Sequence, residues 1–207
     1  MPDRFKIAGY SMELFSLNGA REIPRKFIAV AIDGRIDGPV IAGKFEPVYS
    51  RGARLEGDAM VFLAVDEGER DWRYVEGIEL EWKHISELVP GEPLEKEMWY
   101  SHPYYSFKVR DKTYRVRFWL VGQEVDCGIH DHLGDSPNFK ELHLQLRGSG
   151  YMEVFQSGRK VMEVPMEPGR MHCPFYVVKQ GRAVYPPHQY RSGPEGALFM
   201  VFEELCE

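Results

Sequence analysis

Residues 105–122 read "YSFKVRDKTYRVRFWLVG". Apolar and polar side chains alternate on both sides of a polar turn at Asp111 and Lys112. A period of two puts successive side chains on opposite faces, so the stretch predicts two β-strands, about Ser106 to Arg110 and Thr113 to Val121, joined as a hairpin. Similar runs recur through the chain between Gly, Pro, Asn and Asp: "KFIAVAID", "AMVFLAV", "GIELEW", "KELHLQL", "YMEVFQ", "KVMEV", "RAVYP" and "ALFMVFEE". Regularly spaced short strands of this kind predict a sandwich or barrel. Only "MELFSLNGA" near the start and "WKHISELV" around residue 85 have helical spacing, enough for two or three turns each. The expected class is all-β.

The 207 residues suffice for one large or two small domains with a hydrophobic core. The stretch "ISELVPGEPLEKEMW", residues 85–99, reads either as a boundary or as a long surface loop. A net charge of −6 with scattered Lys and Arg gives no footprint for nucleic acid or an anionic membrane, so small-molecule chemistry is favoured. The longest apolar run, "GALFMVF", is too short to span a bilayer, and the N-terminus lacks a signal peptide's apolar core; the reading is a soluble, cytoplasmic chain. Cys127, Cys173 and Cys206 have no paired spacing and read as small, partly buried thiols without an activating pattern.

Five of the seven histidines fall between His130 and His188. In "VDCGIHDHLGDSPNFKELHLQLRGSG", residues 125–150, strand alternation would turn His130 and His132 to one face with Asp131 opposite, so that two imidazoles converge on one ion. The same pair also reads as two polar residues beside a turn. Downstream, Glu141, His143 and Gln145 share one strand face and Leu142, Leu144 and Leu146 the other. That is a site-lining row backed by a packing row, although a solvent-facing polar row would alternate identically.

In these residues the chain resembles the cupins. Their first motif has a glycine, His-x-His, a short spacer, Glu, six residues and a glycine; here Gly122 or Gly128 leads, His130 and His132 follow, and six residues separate Glu141 from Gly148. The spacer is longer, eight residues "LGDSPNFK", and reads as an enlarged loop between strands. The second motif is a glycine, a strand and a proline turn ending in a histidine. It resembles Gly181 and the "RAVYPPHQYRSG" that follows, with His188 as the third ligand; the match is compressed and has Ser192 where the family often has Asn. "EPGRMHCP" offers His172 as a competitor, and His188 fits better.

The resemblance covers residues 106–204 and implies a double-stranded jelly-roll barrel at 106–207 with the metal inside. Residues 1–105 would then be a β-rich region that covers or extends the barrel, or a degenerate second barrel without a site. The implied ligands are His130, His132, Glu141 and His188. Three imidazoles and a carboxylate suit one divalent Fe, Mn, Ni, Co, Cu or Zn. By parity and proximity His143, Gln145, Arg147 and Tyr190 are the substrate-contacting candidates, suited to an anionic or hydroxylated molecule. The aromatic stretch "EMWYSHPYYSF", residues 97–107, either lines a pocket or seals a barrel end. The resemblance implies a metal-dependent enzyme on a small polar or aromatic molecule, dioxygenase-type chemistry first and sugar isomerase or epimerase second, or else a non-enzymatic small-ligand binder; homodimerisation is compatible with each. Fold does not fix function.

Overall fold

The computed structural model describes residues 4–68, 71–135 and 137–206. Fourteen strands and one 3₁₀ turn carry them: β1 (Arg4–Ile7), β2 (Tyr10–Asp37), β3 (Ile41–Ala42), β4 (Pro47–Asp66), β5 (Val75–Glu76), β6 (Glu81–His84), the turn Ile85–Glu87, β7 (Met98–His102), β8 (Tyr105–Val109), β9 (Lys112–Val121), β10 (Phe139–Gln156), β11 (Arg159–Met166), β12 (Val177–Lys179), β13 (Arg182–Val184) and β14 (His188–Leu205). The all-β expectation holds, and the hairpin at 105–122 forms with Val109 opposite Lys112. No helix among the described residues is long and apolar enough to cross a membrane.

Two compact units divide at Glu81 and Trp82, not at 105 and 106. The correction has a plain cause: β7 lies in the pre-hairpin segment, yet its Tyr100 pairs with Trp119 of β9, which ties that segment to the C-terminal sheet. The first unit is one long β2–β4 ribbon folded back on itself, so that Ala29 pairs with Leu63 on one side and Val48 on the other. Leu17, Ile23, Phe27, Val48, Leu55 and Leu63 form its core. The stretch "MELFSLNGA" is strand here rather than helix, because Met12, Leu14 and Leu17 find cross-strand partners in Ala64, Phe62 and Ala59, and tertiary pairing overrides local spacing. No histidine occurs in residues 1–81.

In the second unit a seven-stranded sheet runs β11-β10-β14-β9-β7-β6, with β8 also on β9. "WKHISELV" yields only one 3₁₀ turn, capped reciprocally by His84 and Glu87 and stopped before Pro90. β10 and β14 are 18 residues each and shift register at Gln145/Arg147 and again at Gly148/Gly150. Such bulges bend a strand, so each long strand serves two parts of the sheet. Leu142, Leu144 and Leu146 are buried, as the packing-row reading expects.

One charge cluster on this sheet makes the fold acid-sensitive. The Glu153 carboxylate is buried and accepts from Gln189 Nε2 at 2.7 Å, Lys160 Nζ at 3.0 Å and Arg191 Nε at 3.2 Å. Burial alone would raise its pKa, but these donors outweigh it and hold the group down at about 2, against an ordinary 4.5. A depressed carboxylate stabilises the fold fully above its unfolded pKa and loses that contribution as pH falls towards its folded one. Glu153→Gln is therefore expected to lower the thermal midpoint by a few degrees at pH 7, with the gap from wild type narrowing between about pH 5 and pH 3. A gap that stays constant with pH in melting curves would rule out this role for Glu153.

Candidate metal centre

The sheet sets three side-chain rows in register across β10, β14 and β9: Glu141–Glu203–Arg115, His143–Val201–Arg117 and Gln145–Phe199–Trp119. With the 127–135 segment and Tyr190, most of these residues line a cavity of about 780 Å³ in the second unit. The polar row expected at Glu141 and His143 therefore faces a cavity.

His130 and His132 reach that cavity by a different route from the one alternation suggests. "GIHDH" is not a regular strand; only His130 pairs, its N–H and C=O bonding those of His188 at 3.0 and 2.9 Å. His132 takes a left-handed backbone with φ of +57°. A non-glycine residue in that region costs about 1–3 kcal/mol and persists where its surroundings fix it. The bridge and the left-handed turn bring the two rings together, with centroids 4.6 Å apart; each lies within about 5 Å of the His188 ring, at 4.5 and 5.1 Å.

Each ring has one nitrogen committed and the other left over. His130 Nδ1 is 3.0 Å from Gly128 O, His132 Nδ1 is 2.7 Å from Asp135 Oδ2, and His188 Nδ1 is 2.9 Å from Pro186 O. Fixing Nδ1–H in this way presents Nε2 as a lone-pair donor, the arrangement that orients metal-binding imidazoles. Ligand atoms of His130, His132 and His188 all lie within 4.8 Å of one another. Ligands on one ion stand at most about 4.2 Å apart, twice a metal–nitrogen bond, so small ring shifts would close the set.

Unpartnered atoms mark the same spot. His132 Nε2, His188 Nε2 and Glu141 Oε1 are buried without a hydrogen bond. Glu141 Oε1 lies 3.5 Å from His132 Nε2 and 3.8 Å from His188 Nε2. A buried polar atom left unsatisfied costs about 1–3 kcal/mol, so three facing one point call for a shared partner. Nitrogen and carboxylate donors without thiolate suit a divalent transition ion, and the residues present fit one.

The electrostatics are polarised around Glu141. Burial opposes its ionisation, but His143 first, and then the His132 and His188 rings that face it, hold its pKa well below the carboxylate range. Burial pulls His130 down to about 4, with His188 adding to it. Burial also works against His132, yet Glu141 and Asp135 lift it to about 9. Glu203, across the strand from Glu141, is pushed up to about 7 by burial and then by the Glu141 charge, against the pull of Arg115. These shifts follow from placing one carboxylate among imidazoles and a second carboxylate beside it.

Of the two rival histidines, His188 joins the cluster and His172 does not. His172 Nε2 accepts the His143 backbone N–H at 3.1 Å and its Nδ1 meets Cys173 O at 2.9 Å, so both nitrogens are used. His143 lines the cavity with Nε2 3.1 Å from Glu141 Oε1. Tyr190 lines it as well, while its hydroxyl donates to Gln145 Oε1 at 2.8 Å. Gln145 is consumed inside the fold, donating from Nε2 to Arg147 O at 2.7 Å, and is corrected from substrate contact to support for Tyr190. Arg147, past the bulge that breaks the strand's parity, is not among the residues lining the cavity and is corrected likewise. Among the thiols, Cys127 lines the cavity and burial raises its pKa to about 12, which keeps it protonated; Cys173 is exposed rather than partly buried. Of the loop "LGDSPNFK", Ser136 lies outside the described residues, and Asp135 is the residue that ties His132.

Three charged lining residues escaped the sequence reading, Arg115, Arg117 and Glu203, whereas Tyr104 lies in the aromatic stretch 97–107 expected to line a pocket or seal a barrel end. Arg115 and Glu203 form an ion pair, and Tyr104 Oη donates to Glu203 Oε1 at 3.3 Å. Arg115, Arg117 and Trp119 alternate in the opening hairpin, so parity could have placed them on one face; what parity lacks is which face meets the Glu141 row.

No family model matches the chain, and no curated protein does. Solved structures resemble it at low identity. A recombinant pro-11S globulin of pumpkin is 7% identical, with 97% of this chain and 78% of that one covered and a TM-score of 0.40. Oxalate decarboxylase from Bacillus subtilis is 14% identical, with 96% and 69% covered and a TM-score of 0.39. A salicylate 1,2-dioxygenase mutant from Pseudoaminobacter salicylatoxidans is 9% identical, with 96% and 72% covered and a TM-score of 0.36.

Proposed function

We propose that the chain is a mononuclear, metal-dependent enzyme acting on a small molecule inside the second unit's cavity, with His130, His132, His188 and Glu141 as the ligands. The observation that carries this is the convergence of unpartnered His132 Nε2, His188 Nε2 and Glu141 Oε1, with the Nδ1 of His130, His132 and His188 already tied. A divalent transition ion held there would supply a Lewis-acid or redox centre with open positions for substrate or oxygen. The protein's own residues do the rest. Tyr104, Trp119, Phe139, Phe199 and Val201 give the cavity an aromatic and apolar wall that excludes water and packs a flat substrate. Glu203, in hydrogen-bonding reach of Tyr104 Oη, is the carboxyl placed to hold or pass a proton.

That wall favours oxidoreductase chemistry on an aromatic or similarly apolar substrate over sugar isomerisation, since the faces of Tyr104, Trp119, Phe139 and Phe199 suit a flat apolar body better than a polyhydroxylated one. A simple ligand-binding role would leave the metal dispensable. Chelated protein titrated with Fe²⁺, Mn²⁺, Co²⁺, Ni²⁺, Cu²⁺ and Zn²⁺ is expected to take up one equivalent per chain. At 1,000-fold excess over Kd the gain is about 4 kcal/mol, which raises the thermal midpoint by about 8–16 °C. Folded protein that neither binds nor responds to any of the six ions would overturn the proposal.

A further inference from the structure

Arg117 is a feature of the cavity that the metal does not explain. The residue is 8% exposed and lines the cavity, yet its Nε has no hydrogen-bond partner. The neighbouring Arg115 is neutralised by Glu203. Arg117 makes no such ion pair: Glu203 acts on it only at longer range, and the groups in contact with it are ring faces, its Cζ standing 3.7 Å from the Tyr104 centroid and 4.8 Å from that of Tyr100. Stacking on an aromatic holds a guanidinium flat and leaves its edge, where the N–H donors point, unpaired. A buried cation without a counter-ion is expensive, and proteins keep one where a ligand completes the pair.

We infer that Arg117, held flat by Tyr104, is an anion subsite that takes the carboxylate of a small organic acid. Arg117 stands opposite Val201, which stands opposite His143 of the Glu141 row. A molecule anchored at Arg117 therefore lies along the same sheet face as the proposed metal ligands. One uncompensated cation beside Tyr104, Trp119, Phe199 and Val201 matches a singly charged carboxylate on an apolar or aromatic body better than a dianionic phosphate. The inference rests on the proposed metal enzyme only for what happens at the other end of the substrate.

The test is a thermal-shift and calorimetric comparison of acetate, butyrate and benzoate, each against its neutral amide, on metal-loaded and on chelated protein. At least one acid is expected to bind roughly tenfold or more tightly than its amide in both preparations, because Arg117 does not need the metal. Arg117→Met should erase that preference, a loss of roughly 10- to 100-fold for the acid. It should also leave the ligand-free thermal midpoint unchanged or higher, since it removes a buried charge that makes no ion pair. No acid preferred over its amide in wild type would overturn it, as would a preference that survives in Arg117→Met. If the variant does not fold, the wild-type acid-to-amide ratio decides by itself. Carboxylate preference in chelated protein that takes up no metal would refute the metal proposal and leave the subsite standing.

Discussion

Replacing His188 with alanine is expected to reduce bound metal from near one equivalent per chain to under about a tenth, with an affinity loss of roughly 100-fold or more. His188 is fully buried, its Nδ1 is tied to Pro186 O, and its backbone forms the bridge that holds His130 in place. Alanine keeps the bridge, since that uses only the main chain, and deletes the Nε2 that points at Glu141. The variant should therefore fold as well as chelated wild type and fail to gain midpoint when an ion is added. His172→Gln is the matched control. His172 is equally buried and belongs to the same strand-and-turn neighbourhood, but its two nitrogens serve His143 N–H and Cys173 O, which an amide can also serve. Elemental analysis of the two purified variants separates the readings. Wild-type metal in His188→Ala, or metal lost from His172→Gln alone, would reverse the assignment.

Much of this second unit was legible because strand parity is a strong constraint. The period-two alternation of residues 105–122 gives the hairpin directly, and the same rule puts Glu141 and His143 on one face and three leucines on the other. Parity works only within a regular strand. It gave convergence of His130 and His132 for the wrong reason, because the pair is set by a single bridge and a left-handed residue that no alternation encodes. It failed at Arg147 because a bulge inserts there and flips the face. Gln145 sits on the right face, but Tyr190 reaches it from across the sheet, and a partner 45 residues away is invisible to local pattern. Arg117 was missed for the same kind of reason. Its significance lies in a partner that is absent, and absence shows only once the fold has assigned every other charge. The "MELFSLNGA" helix failed where a long-range strand pairing outweighed local spacing.

The largest effect on stability is expected at Gly148, on the same strand as Glu141. Its φ is +69°, a region in which a Cβ costs about 1–2 kcal/mol. A Cβ built there would stand 2.0 Å from Gly196 O, 2.9 Å from Gly196 C and 3.2 Å from Ala197 Cα. All three are backbone atoms of β14, so no side chain can swing aside, and the two long strands must separate at their bend. Gly148→Ala is therefore expected to cost more than about 4 kcal/mol, lowering the midpoint by about 8–16 °C or preventing folding. Gly158→Ala isolates the backbone part of that cost. Gly158 has a similar φ of +74°, in the turn between β10 and β11, and a Cβ there meets nothing within 4 Å. It should lose only about 1–2 kcal/mol. The difference between the two variants measures how tightly β10 is clamped to β14, and the site depends on that clamp because Glu141 on one strand and His188 on the other face the same point. Where Gly148→Ala still folds, its metal affinity should fall although no ligand has changed, while Gly158→Ala keeps wild-type affinity. Equal midpoints for the two variants would show that the strands have room to part, and the close approach at Gly196 would then not be what holds the ligands in register.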